Sequence, residues 1–113
     1  MPLPRRGEIW LADLDPVEGH EQVGRRPVMI ISNDRFNFLP SGLCIVVPIT
    51  TRDRGNPFHL LIEPPQGGLR RRSFALCDQA RAISVTRLEQ RFGQAPSGVL
   101  NLARRLITES IKG

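Results

Sequence analysis

The residues best suited to chemistry are Arg26, Thr50, Thr51 and Asp78, with His20 on a loop. Arg26 follows Arg25 and precedes Pro27, which opens the apolar run Val28 to Ile31. Proline drives the residue before it toward an extended backbone. Arg26 is therefore expected to enter a buried strand with little local freedom, a stiff platform from which a guanidinium can hold a phosphate. Thr50 and Thr51 close the run Leu43 to Ile49, and Asp78 follows the run Ser73 to Cys77. An arginine, a hydroxyl and a carboxylate can together cleave RNA without a metal. The carboxylate takes the proton of the ribose 2′-OH, the arginine offsets charge on the phosphate, and the threonine positions it. Taken singly, each residue has a plainer reading. The arginines can be solvated, the threonines ordinary strand ends, His20 a solvated loop residue, and Asp78 the ion-pair partner of a nearby arginine.

Other chemistries lack their residues. There is no H-E-x-x-H, no phosphate-binding G-x-x-x-x-G-K and no G-x-S-x-G elbow. The two histidines, His20 and His59, are far apart in sequence, and no metal or other cofactor is expected. Cys44 and Cys77 lie inside apolar runs and read as reduced core residues.

These residues need a scaffold. With 113 residues the chain is expected to form a single domain over 1–113 that folds without disulfides or metals. Its formal charge is +5, from 16 basic and 11 acidic residues, and Lys112 is the only lysine. Arginine's planar fork suits phosphate, so the bias hints at nucleic acid or an acidic partner, although high-GC coding would also enrich it. No apolar run is long enough to span a bilayer, and Met1 to Arg6 lacks the apolar stretch of a signal peptide. A cytoplasmic protein without membrane association is expected.

Alternation predicts a strand over Gly7 to Asp13, and short, largely apolar runs predict strands over Val28 to Ser32, Leu43 to Ile49, Phe58 to Glu63, Ser73 to Cys77 and Leu88 to Phe92, with Ala80 to Val85 extending the fifth. Val17 to Gly24 reads as a polar loop, long for a hairpin and suited to a functional flap. Asp34 is expected to cap a short turn or helix, and Pro48 to mark a sheet edge or bulge. Val99, Leu100, Ala103, Leu106, Ile107 and Ile111 recur at helical spacing after Pro96. The fold class is mainly β with α additions: a small, strongly curved sheet or half-open barrel with a C-terminal amphipathic helix. Its edges invite a homodimer.

Three blocks resemble the MazF/PemK (Kid) family of toxin endoribonucleases. RGEIWLADLDPVEGHEQVGRRPV, from Arg6 to Val28, is similar to the PemK branch and includes its G-H-E-Q loop at Gly19 to Gln22. VVPITT with a charged turn and Pro57-Phe58 resembles both branches, and ALCDQ with Arg81 and Ile83 is the third match. The resemblance implies an SH3-like β-barrel working as a homodimer. It also implies metal-independent cleavage of single-stranded RNA to a 2′,3′-cyclic phosphate and a 5′-OH, and a cognate antitoxin whose acidic, flexible C-terminal segment covers the RNA-binding surface.

By position, Arg26, Thr50 and Asp78 match the family's catalytic residues. His20, Glu21, Thr51 and Gln79 match positions expected to bind substrate. Leu76 stands where PemK carries an arginine proposed as general acid, so that role passes to another group, with Arg26 first in line. Two rival readings remain at this level. A gyrase-poisoning toxin of the CcdB type would need a C-terminal aromatic, and none follows Phe92. A non-catalytic RNA-binding barrel or decayed toxin would retain the surface without the reaction. The run Arg70-Arg71-Arg72 is either a solvated loop or an RNA or antitoxin contact.

Overall fold

A computed structural model of the chain describes residues 3–14 and 24–113. Its strands are β1 (Glu8–Leu14), β2 (Gly24–Ile30), β3 (Leu43–Thr50), β4 (His59–Ile62), β5 (Ser73–Leu76), β6 (Arg81–Ser84) and β7 (Leu88–Gln94). Two helices join them, α1 (Asp34–Asn37) and α2 (Ser97–Ile111). The pairings are antiparallel in the order β4-β5-β3-β2-β1-β7, with β6 also beside β3. The sheet is strongly curved but does not close.

β3 organises the molecule. One flank pairs with β2 from Val46 to Pro48. The other pairs with β6 from Leu43 to Val46, then with β5 at Ile49 and Thr50. Between β6 and β5 that flank is interrupted by a tight turn, Cys77–Gln79. The expectation that Ala80 to Val85 prolongs β5 is therefore corrected. β5 and β6 are separate strands that share one side of β3. Pro48 likewise lies in a central strand, not at an edge. Its missing amide is tolerated because the neighbouring ladder is broken at that level.

The strand expected from Val28 begins at Gly24, so Arg25 and Arg26 lie inside β2, opposite Asp13 and Ala12. β1 supplies the partner that keeps this polar stretch extended. Pairing with β3 reaches only as far as Val28, which leaves Pro27 where one flank carries no ladder.

The two faces of the sheet carry separate cores. Ile9, Met29, Val47, Ile49, Leu60, Ile62 and Cys77 form one, which α2 covers through Ala103, with Val99, Leu106 and Ile107 half-buried against it. Ala12, Leu14, Val28, Ile30, Cys44, Val46 and Ile83 form the other, with Trp10 at its rim. Ile111, expected on the apolar face of α2, is 80 % exposed, because the helix end runs past the sheet. Pro96 stands at the cap of α2.

Asn33, not Asp34, caps α1, accepting the Phe36 amide at 2.8 Å. Asp34 takes the first helical position, where a carboxylate suits the helix dipole, and accepts from the Arg6 amide and the Arg5 guanidinium.

Candidate active site

Arg25 and Arg26 are adjacent in a strand and so point to opposite faces. Arg25 Nε donates to Glu89 Oε1 at 2.8 Å. That bond, with the charges of Glu89 and Asp13, raises the guanidinium above its usual pKa. Arg26 is half-buried, and its Nε is buried with no hydrogen-bond partner among the described residues. A buried, unpaired guanidine donor is costly unless something fills its valence. Of the two arginines, Arg26 is the one left available to a ligand.

The β2–β3 ladder ends at Val28 opposite Pro48. Two residues beyond that last rung on each strand, alternation turns Arg26 and Thr50 to the same face. Thr50 Oγ1 accepts the Arg52 amide at 3.2 Å, which orients the hydroxyl and leaves its proton to donate. Thr51, the next residue, turns to the other face and lines a cleft there. The two threonines that lie side by side in the sequence thus serve different surfaces.

Asp78 sits in the turn that interrupts the β3 flank. Its Oδ1 lies 3.0 Å from His59 Nε2, and its Oδ2 accepts from Asn56 Nδ2 at 3.3 Å. The His59 side chain is 3 % exposed, whereas that of Asp78 is 38 % exposed. A buried imidazole thus tethers a carboxylate that still reaches solvent. His59 pairs with Leu76, and two residues along each strand Leu61 pairs with Phe74, which in turn faces Thr50. Strand alternation therefore puts His59 on the same sheet face as Thr50 and Arg26. Gln79 is half-buried in the same turn as Asp78.

His59 and Asn56 were not among the residues expected from sequence. Their sole local signal is the turn composition around Asn56-Pro57, since the contact depends on β4 lying beside β5. His20, Glu21 and the rest of the predicted flap up to residue 23 lie outside the described residues. Leu76 is buried at 2 % exposure, so that position presents no polar group. Cys44 and Cys77 are buried and unpaired, and burial pushes each thiol up to about 11, with the Asp78 charge contributing at Cys77. They are thereby poor nucleophiles.

The arrangement offers an uncommitted guanidinium, an oriented hydroxyl and a clamped carboxylate. These are donors for a phosphate and an acceptor for a proton. Among the described residues, no three His, Cys, Asp or Glu side chains gather as they would around a metal ion.

A family model described as "PemK-like, MazF-like toxin of type II toxin-antitoxin system" matches residues 5–111. Endoribonuclease MazF9 of Mycobacterium tuberculosis is 38 % identical over 101 residues, covering 85 % of this chain and 86 % of that protein. Endoribonuclease PemK of Escherichia coli is 37 % identical over 98 residues, covering 85 % and 73 %. Among solved structures, MazF from Deinococcus radiodurans superposes with a TM-score of 0.85 at 27 % identity over the whole of both chains. A chain of the MazE-MazF complex from the same organism gives 0.80 at 29 % identity, covering 98 % and 97 %.

Proposed function

Since the chain belongs to the PemK-like, MazF-like family of toxins of type II toxin–antitoxin systems, we propose that Arg26, Thr50 and Asp78 are the reaction centre of its endoribonuclease activity, acting on single-stranded RNA. Asp78 accepts the proton of the ribose 2′-OH. The 2′-oxygen attacks the adjacent phosphorus, and the bond from phosphorus to the 5′-oxygen breaks. A 2′,3′-cyclic phosphate and a 5′-OH result. Arg26 and the Thr50 hydroxyl donate to the phosphate oxygens as charge builds there. With apolar Leu76 where an acid would otherwise stand, Arg26 is the guanidinium left to give a proton to the departing 5′-oxygen, and the proton held by Asp78 returns through solvent to restore both groups.

The observation that carries this reading is the buried Arg26 Nε, without a partner among the described residues, on the sheet face it shares with Thr50 and with His59, the tether of Asp78. His20 and Glu21 of the preceding loop, with Thr51 and Gln79, complete the RNA-binding surface in this proposal. That surface also receives the acidic, flexible C-terminal segment of the cognate antitoxin. The family's solved MazE-MazF complexes and the chain's charge of +5 support such a partner. Phe38 and Leu39, 47 % and 48 % exposed, and Leu43 at the start of β3 give a homodimer contact apolar material. No described helix is long and apolar enough to cross a membrane, and the proposed site of action is the cytoplasm, where translated RNA is found.

The test is incubation of the purified protein with mixed-sequence RNA in EDTA, with the cut ends mapped. Cleavage leaving a cyclic phosphate is expected, and Arg26→Ala should abolish it while leaving the folded signal intact, since a half-exposed charge contributes little to stability. Binding without cutting would replace this reading with that of a non-catalytic RNA-binding barrel.

A further inference from the structure

Where β2 and β3 part, the sheet face away from Arg26 and Thr50 opens onto a cleft of about 530 Å³. Its walls include Pro27, Thr51, Arg70, Arg71, Gln90 and Phe92. The volume falls within the roughly 300–1,000 Å³ typical of small-ligand sites.

The arginine run is held firmly. A Cβ on Gly68 would collide with the Phe92 carbonyl oxygen, and one on Gly93 would lie 2.8 Å from the Gly67 carbonyl carbon. The loop is therefore seated directly on β7, with backbone against backbone. Leu69 and Ser73, which bracket the run, are buried at 6 % and 4 % exposure. Arg72 is engaged elsewhere, 3.7 Å from Glu63 and over the Phe74 ring at 5.6 Å. Arg91, on the opposite wall, is paired with Glu8 at 2.7 Å. Arg70 and Arg71 have no carboxylate partner among the described residues. Two exposed guanidiniums, unpaired among the described residues, thus stand on a fixed seat beside a hydroxyl and the half-buried Phe92 ring.

We infer that this cleft is a second RNA subsite, taking a nucleotide outside the scissile linkage. Its phosphate sits between Arg70, Arg71 and the Thr51 hydroxyl. Its nucleoside lies against Pro27 and Phe92, with Gln90 able to meet a base edge. The inference rests on the RNA-cleaving reading of Arg26 and Thr50. RNA is favoured over an acidic peptide for two reasons. Pro27 and Thr51 directly follow Arg26 and Thr50, about 3.8 Å along the chain in each case, so one polyanion passing between the strand ends meets both surfaces. Moreover, the apolar wall suits a base, which binds by stacking, whereas a carboxylate side chain makes no use of it.

The test measures binding to RNA carrying a 2′-O-methyl group at the cut position, so that nothing is cleaved. A dodecamer and the bare dinucleotide are compared for the protein and for R70Q/R71Q. The double variant should weaken the dodecamer at least tenfold more than the dinucleotide, and its log Kd against log salt should flatten by about 0.7 for each phosphate that is no longer neutralised. F92L should weaken the dodecamer with an unchanged salt slope. An unaltered slope and affinity in R70Q/R71Q, or an equal loss on both RNAs, would overturn the subsite. So would a loss confined to a synthetic Asp/Glu-rich peptide, which would assign the cleft to the antitoxin. A wild-type protein that binds neither RNA and cuts none defeats the underlying reading as well. One that cuts RNA but is indifferent to R70Q/R71Q defeats the subsite alone.

Discussion

His59 Nε2 lies 3.0 Å from Asp78 Oδ1, joining a buried ring on β4 to a half-exposed carboxylate in the turn between β5 and β6. The imidazole is too enclosed to touch substrate, so its influence on the reaction must pass through Asp78. Asp78→Asn is expected to lower kcat about 10²–10⁴-fold, the usual range for loss of a general base. His59→Ala should lower it about tenfold in the natural background and add little once Asp78 is already Asn. A double-mutant cycle reads this coupling. Full additivity would mean that His59 acts independently of the carboxylate.

Thr50 accepts the Arg52 amide and keeps its proton for a ligand. Thr50→Val should reduce kcat/KM by about 10²-fold, comparable with losing one donor to a developing charge, while Thr50→Ser retains most activity. Thr51→Val, on the other face, should act mainly on KM. Steady-state cleavage of a fluorogenic oligonucleotide separates these outcomes, and equal kcat losses at the two positions would contradict the opposed orientation.

Glu8 ties the start of the chain to β7, accepting from the Arg5 amide at 2.8 Å, the Trp10 indole at 3.0 Å and Arg91 at 2.7 Å. Burial alone would raise its carboxyl, but these bonds and the Arg91 charge outweigh that and hold it below its usual 4.5. A depressed folded value stabilises the protein above the unfolded value and loses that effect as pH falls through the folded one. Glu8→Gln should therefore cost about 1 kcal/mol at neutral pH, with the gap from the natural protein closing in acid. Urea unfolding at pH 7 and at about pH 3 checks this, and a gap that widened in acid would reverse the sign.

Gly68, at a φ of 73°, has no room for a Cβ against Phe92. Gly68→Ala should destabilise the protein by about 1–3 kcal/mol and weaken RNA binding along with it. Gly98→Ala, where nothing lies within 4 Å, is the matched control and should be neutral or stabilising. Thermal melts that placed both variants level with the natural protein would show the loop to be loosely seated.

The strands of this fold were largely legible because an alternating pattern or a short apolar run is a local signal, and β3, a continuous apolar run, was the clearest of them. Relations between strands were not. The start of β2 at Gly24 depends on pairing with β1, which overrides the polar character of Arg25 and Arg26. The division into β5 and β6 depends on both binding one flank of β3. Within the site, the shared face of Arg26 and Thr50 follows from the Val28–Pro48 register, and the His59–Asp78 contact from β4 lying on β5. Family resemblance located Arg26, Thr50 and Asp78 without revealing what holds them. The cap at Asn33 and the exposure of Ile111 turn on helix ends, where pattern gives the weakest guidance.

Because β3 must end with Thr50 on the face that Arg26 shares, its length is under a parity constraint. A single residue added between Val47 and Thr50 would turn the Thr50 hydroxyl away from the face of the Arg26 guanidinium. The Cys77–Gln79 turn stands outside any ladder and escapes this arithmetic. Descendants of such a chain can thus lengthen around the carboxylate far more readily than within the ribbon beside it.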